Sequence, residues 1–108
     1  MSHFYDLERI DSKELVRGVM LQAVWGEKVM LSRVDISPGA EVPLHDHPHE
    51  QAGTLLEGVM EMTIGDETRE LGPGDSYVIP GGVQHSARAI GGRVIVLDIF
   101  SPPREEYK

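Results

Sequence analysis

The sequence predicts an all-β fold, a barrel or sandwich of roughly eight or nine short strands joined by tight turns. Two observations support this. The apolar segments are short, and some alternate between apolar and polar residues, as Val29 to Ile36 does. Twelve glycines and seven prolines separate these segments, which is typical of turns between strands.

The predicted strands follow one another with little chain between them. In chain order they are residues 15–25 (a strand pair), 29–36, 41–46, 51–56, 58–64, 68–71, 76–79, 83–89 and 93–100. A hairpin-type turn is expected at Gly65-Asp66-Glu67. The one helical candidate is a short piece near Leu7 to Leu15, and Pro102-Pro103 begins a non-strand tail. Since repeats and linkers are absent from the sequence, residues 1–108 are expected to form a single domain.

Composition excludes several classes of function. A formal charge of −8 and a pI near 5.0 disfavour a nucleic-acid partner. None of the apolar runs approaches the roughly 20 residues that a membrane-spanning helix needs. Cysteine is absent, which excludes disulfides, thiolate ligands and a cysteine nucleophile. Together with an N-terminus unlike a signal peptide, this predicts a cytoplasmic protein without membrane contact.

A histidine cluster provides the first candidate site. His45, His47 and His49 lie within five residues of one another. Alternate residues of a strand point to the same face, so His45 and His47 can reach one metal ion together. Imidazole ligands suit zinc, nickel, manganese, iron or cobalt. An HxH pair also occurs by chance, and a hydrogen-bonded surface role remains the alternative from this segment alone.

The spacing around these histidines matches two known signatures. The first runs Gly39, five residues, His45-Asp46-His47, three residues, Gln51, six residues, Gly58; the second runs Gly74, five residues, Pro80-Gly81-Gly82, two residues, His85. The chain therefore resembles the compact single-domain members of the cupin superfamily, with motif 1 at 39–58 and motif 2 at 74–89. The resemblance implies a double-stranded β-helix, or jelly roll, whose interior holds one divalent transition metal. The implied ligands are His45, His47, Gln51 and His85.

The chain departs from the cupin pattern at two positions. Gln51 stands where glutamate is usual, so the fourth ligand would be a neutral amide oxygen. Ala89 stands where asparagine is often found. Glu50 is the alternative fourth ligand, although the spacing fits Gln51 better. His49 is expected beside the ligands or at the rim of the site.

Asp98 is a second candidate because it interrupts the apolar run from Val94 to Phe100. Both faces of this strand are predicted to be buried, and an ionised carboxylate there costs several kcal/mol unless it is paired or solvated. The strand alone leaves two interpretations equally open. Asp98 is either a structural carboxylate bonded to an arginine or to backbone donors, or an acid or base beside the metal.

Two segments, residues 47–53 and 97–107, resemble the KdgF-type pectin-degradation cupins in particular. These cupins convert 4,5-unsaturated monouronates, released from pectin or alginate, to linear 5-keto-4-deoxyuronates. The resemblance assigns functional roles to an aspartate, a phenylalanine and an arginine that match Asp98, Phe100 and Arg104 here.

The implied roles agree with the chemistry of these side chains. Arg104 would bind the uronate carboxylate through two parallel hydrogen bonds. Asp98 would move the proton needed for ring opening, and Phe100 would form a flat apolar wall. The alternative for Arg104 is a surface arginine that balances Glu105 and Glu106. Further side chains expected near the cavity are Arg88, Tyr77 and Met62.

The leading hypothesis is thus a metal-dependent enzyme acting on an unsaturated uronate, an anionic sugar. The alternatives are an iron or manganese dioxygenase and a non-catalytic metal-containing module that binds a small molecule. Asp98 and Arg104 favour a polar, anionic substrate over an aromatic one. The resemblance also implies a homodimer, and the apolar stretch Val19 to Trp25 is the expected pairing segment.

Overall fold

The computed structural model describes residues 2–108, and its regular structure is almost entirely β. Two 3₁₀ turns, Leu7–Arg9 and Glu105–Tyr107, flank ten strands. The strands are β1 (Lys13–Val16), β2 (Val19–Trp25), β3 (Met30–Ile36), β4 (Glu41–His45), β5 (Glu50–Glu57), β6 (Met60–Ile64), β7 (Glu67–Leu71), β8 (Ser76–Ile79), β9 (His85–Ala89) and β10 (Val94–Ser101). The predicted all-β class is therefore confirmed.

The strands form two antiparallel sheets. The six-stranded sheet has the order β1-β2-β3-β10-β5-β8, and the four-stranded sheet has the order β4-β9-β6-β7. Because β10, last in sequence, lies between β3 and β5, strands distant in sequence pair in the middle of the larger sheet. The two sheets form the predicted jelly roll.

Alternation along the strands directs one set of side chains between the sheets. In β3, Met30, Ser32, Val34 and Ile36 are buried, while the residues between them are partly exposed. The same parity in β10 turns Asp98 inward with its apolar neighbours. The sheet pleat therefore sets a carboxylate into an otherwise apolar face.

Three expectations need correction. Only Leu7–Arg9 of the helical candidate is helical, because Lys13–Val16 pairs with β2 as an edge strand. Val19–Trp25 is not a pairing edge, since β1 and β3 occupy both of its sides. The outer face of β10 is not fully buried, as Ile99 is 42% exposed.

Among residues 2–108, none of the helices has the length and apolar character needed to cross a bilayer.

Candidate metal centre and acid–base site

Three predicted ligands, His45, His47 and His85, come together between the sheets. His45 ends β4 opposite His85, the first residue of β9, and His47 follows in the next loop. One ring nitrogen from each histidine can be chosen such that all three lie within 4.8 Å of one another. The cluster is consistent with a metal site.

A backbone carbonyl orients each of the three rings. The Nδ1 atoms lie 2.8 Å from Pro43 O, 3.0 Å from His49 O and 2.8 Å from Val83 O, for His45, His47 and His85 respectively. A carbonyl oxygen only accepts, so each Nδ1 carries the proton. In a neutral ring this leaves Nε2 with a free lone pair. Such fixing of the tautomer is typical of histidines that bind metals.

Burial keeps two of these rings neutral. It lowers the pKa of His85 to about 4 and lowers the pKa of His47 as well. Neutral imidazole is the form that binds a metal ion. The Nε2 atom of His85 is buried and has no hydrogen-bond partner among the described residues. A buried acceptor without a partner is costly, and a bound cation would satisfy it.

Gln51 on β5 strengthens the fit to a metal ion. Its Oε1 lies 3.0 Å from Nε2 of His47, and both atoms offer lone pairs when the His47 proton is on Nδ1. A hydrogen bond from the Gln51 side chain also lowers the pKa of Asp98. Because a carboxylate only accepts, the donor is the amide NH₂ of Gln51, which leaves its Oε1 facing the histidines. Gln51 is buried while Glu50 is exposed. The geometry therefore puts Gln51, rather than Glu50, beside the imidazoles.

His49 lies next to the cluster without belonging to it. Its backbone carbonyl orients His47, and its own ring is half-buried. This agrees with the expectation of a residue beside the ligands.

Asp98 lies in a row of three residues across the six-stranded sheet. It is opposite Gly53 of β5, and Gly53 is opposite Tyr77 of β8. The Tyr77 hydroxyl donates a 2.6 Å hydrogen bond to Oδ1 of Asp98. Burial and the neighbouring carboxylate raise the pKa of Tyr77 well above its ordinary value, so the phenol keeps its proton.

The environment of Asp98 raises its pKa from 3.8 to about 6. Burial is the main cause, and it is opposed by the hydrogen bonds from Tyr77 and Gln51 and by the charge of Arg104. The carboxylate is thus hydrogen-bonded, as the structural interpretation required, although its partners are a tyrosine and a glutamine. It also lines the cavity beside the histidines, as the functional interpretation required.

Arg104 is buried, only 8% exposed, and it lines the same cavity. Its guanidinium carbon lies 4.1 Å from the ring centre of Tyr107 and 5.4 Å from that of Phe100. Nε donates a 2.9 Å hydrogen bond to Oε1 of Glu106, and Nη2 forms an ion pair with the same oxygen at 2.7 Å. Nη1 donates to the Tyr107 hydroxyl at 2.8 Å. Arg104 therefore pairs with Glu106 as the surface alternative expected, but Arg104 is buried. Glu105 pairs with Lys108 instead.

The cavity joins these groups in about 510 Å³ of empty space, its open mouth included. Its polar lining includes His45, His85, Gln51, Asp98 and Arg104, and the rest of the lining is mostly apolar. Tyr77 and Met62 line it as expected, whereas Arg88 is exposed and pairs with Glu61. Tyr107 was not predicted, and its only sequence signal is an aromatic residue in the tail just after Arg104.

Comparison with known proteins identifies the family. The model of the cupin domain matches residues 32–100. Pectin degradation protein KdgF from Dickeya dadantii is 28% identical over 97 residues, which cover 88% of each chain. The solved structure of KdgF from Halomonas sp. superposes with a TM-score of 0.90 at 29% identity, covering 98% of both chains.

A third relative matches more locally. Germin-like protein 3-8 from Oryza sativa subsp. japonica is 36% identical over 70 residues, and the match spans only 31% of its length. The match to the cupin model covers more than half of the chain. The chain therefore belongs to the cupin family, and over nearly its whole length it is similar to KdgF proteins.

Proposed function

We propose that this protein is a metal-dependent enzyme that converts 4,5-unsaturated monouronates to linear 5-keto-4-deoxyuronate. The observation that carries the proposal is the buried Asp98, with a pKa raised to about 6, in one cavity with His45 and His85 of the histidine cluster and a buried arginine. A carboxyl group that titrates near neutral pH suits proton transfer. Similarity to KdgF proteins over nearly the full length supports the same reaction.

The metal would be held by His45, His47, His85 and Gln51. Zinc, nickel, manganese, iron and cobalt all suit such a set of ligands. When bound, the metal supplies Lewis-acid stabilisation of negative charge on substrate oxygens. The neutral Gln51 leaves the positive charge of the metal undiminished by a ligand carboxylate.

Arg104 binds and orients the substrate by donating hydrogen bonds to the carboxylate of the uronate. Glu106 already occupies Nε and Nη2 of Arg104, and Nη1 donates to the Tyr107 hydroxyl at 2.8 Å. The incoming carboxylate therefore displaces Glu106. Phe100, packed beside Arg104, provides the flat apolar wall. Together they hold the sugar ring beside the histidines and Asp98.

Asp98 moves the proton. Ring opening removes the proton of the anomeric hydroxyl and breaks the bond between the anomeric carbon and the ring oxygen. Ketonisation of the resulting enol then adds a proton at C4. Asp98, ionised near pH 7, accepts the first proton and can return one in the second step, so the reaction is a balanced isomerisation.

The test is to incubate the metal-loaded protein with unsaturated galacturonate and to follow the ultraviolet absorbance of the enol ether. We expect absorbance to fall faster than in buffer and faster than with an Asp98→Asn variant of equal metal content. An equal rate in all three samples would refute the proposal. In that case, oxygen uptake with other substrates would favour an iron or manganese dioxygenase, and the absence of both signals would favour a binding module.

A further inference from the structure

Asp98, Gly53 and Tyr77 form a row across three neighbouring strands of the larger sheet. Tyr77 and Asp98 are on strands that do not pair with each other, because β5 lies between β8 and β10. Their side chains nevertheless meet at 2.6 Å. The tyrosine thus reaches across the middle strand at the level of Gly53.

Gly53 makes this contact possible. A Cβ atom at residue 53 would lie 2.3 Å from Oδ1 of Asp98 and 2.4 Å from the Tyr77 hydroxyl. These distances are far shorter than ordinary contacts, so any other residue would push the tyrosine and the carboxylate apart. The backbone of Gly53 does not have a positive φ, and close approach is therefore the reason for glycine here.

The hydrogen bond also determines how the carboxylate is presented. The last torsion of an aspartate side chain is soft and has broad minima. Because Tyr77 holds Oδ1, rotation about this torsion is restricted and Oδ2 is left for other partners. Tyr77 and Asp98 both line the cavity, so the pair is fixed where a substrate would bind.

We propose that Tyr77 is a positioning residue, whose hydroxyl reaches across Gly53 and holds the Asp98 carboxylate in one orientation toward the substrate. This inference rests on the proposed function, since it concerns the same proton transfer. Neither Tyr77 nor Gly53 hydrogen-bonds to a histidine of the cluster, so the three imidazoles should still bind the metal when either residue is changed.

The experiment measures kcat, KM and metal content with unsaturated galacturonate. Tyr77→Phe removes only the hydroxyl, and we expect kcat to fall about 10-fold to 100-fold through misorientation of Asp98. KM and metal content should stay close to the wild-type values. Tyr5→Phe is the matched control, because Tyr5 is 62% exposed, and it should leave all three quantities unchanged.

A second variant reaches the same contact from the other side. Gly53→Ala should lower kcat by a similar factor, again about 10-fold to 100-fold. Its control is Gly92→Ala, since a Cβ at residue 92 has no neighbour within 4 Å.

The outcomes separate this inference from the proposed function. An active wild type whose Tyr77→Phe variant keeps its kcat would overturn the positioning role alone. Parallel losses of kcat, substrate affinity and metal in that variant would also overturn it, because they indicate a structural role. A wild type without activity on the uronate would overturn both proposals.

Discussion

The two walls of the cavity are built by different means. On the histidine wall, formed by β4, β9 and the loop after β4, each ring is oriented by a carbonyl two residues away in sequence. On the carboxylate wall, formed by β10, β5 and β8, Asp98 is held by a tyrosine 21 residues away. The first wall is thus organised by local backbone geometry, and the second by cross-strand register.

Burial has opposite effects on the pKa values of the two walls. It lowers those of His85 and His47 and raises that of Asp98. In both cases it favours the neutral form, since a charge is poorly solvated inside the barrel. Neutral rings suit metal binding, and a carboxyl group titrating near neutral pH suits proton transfer. One physical cause therefore prepares both walls for their proposed tasks.

The largest expected effect is loss of metal when a histidine of the histidine wall is removed. His85→Ala should lose stoichiometric metal and all metal-dependent activity, because one of three converging imidazoles is removed; His47→Ala should behave alike. The measurement is elemental analysis of protein purified without a histidine tag. His3→Ala, an exposed histidine outside the cluster, is the control. Full metal retention in either cluster variant would contradict the assignment.

Asp98→Asn, on the carboxylate wall, should lower activity without loss of metal. Metal content should be unchanged, while kcat falls about 100-fold to 10,000-fold with the loss of the proton-transfer group. Steady-state kinetics and elemental analysis on the same preparation test this. If metal is lost along with activity, the two walls do not act independently.

The same variant should alter how stability depends on pH. The pKa of Asp98 is raised by folding, so its ionisation opposes the folded state: the penalty is absent below pH 3.8 and fully present above about pH 6. The rise corresponds to about 3 kcal/mol. As pH increases from 4 to 8, the unfolding free energy of the metal-free wild type should fall relative to Asp98→Asn. Urea unfolding at both pH values measures the difference, and a constant difference would indicate an unperturbed carboxyl group.

The smallest expected effect concerns substrate binding. Arg104→Lys removes the planar guanidinium fork but keeps the charge, and KM should rise about 10-fold for the loss of a charge-assisted hydrogen bond. Arg69→Lys on the exposed β7 is the control. An unchanged KM would remove Arg104 from carboxylate recognition.

The predictable part of the molecule is the part with short-range signals. The turns at glycines and prolines and the alternation within strands predicted most strand positions, and the paired signatures indicated the histidine cluster. The helical expectation near Leu7 to Leu15 failed because Lys13–Val16 gains a pairing partner in β2. Propensity in a short segment is weak beside the hydrogen bonds of an added edge strand.

The sequence by itself determined the all-β class, since turn residues and strand alternation depend on neighbours only a few residues away, and the two cupin signatures grouped the histidines. Only the tertiary structure decided that the face of β10 carrying Asp98 points inward, because the sequence predicted burial on both faces. Only the tertiary structure decided that Tyr77 meets Asp98 above Gly53. The tertiary structure alone also decided that Arg104 is buried between Phe100 and Tyr107 and that its guanidinium pairs with Glu106. These contacts depend on the register of β10 between β3 and β5 and on how the tail folds back. That register is set by packing between distant strands, a cause that local spacing does not record.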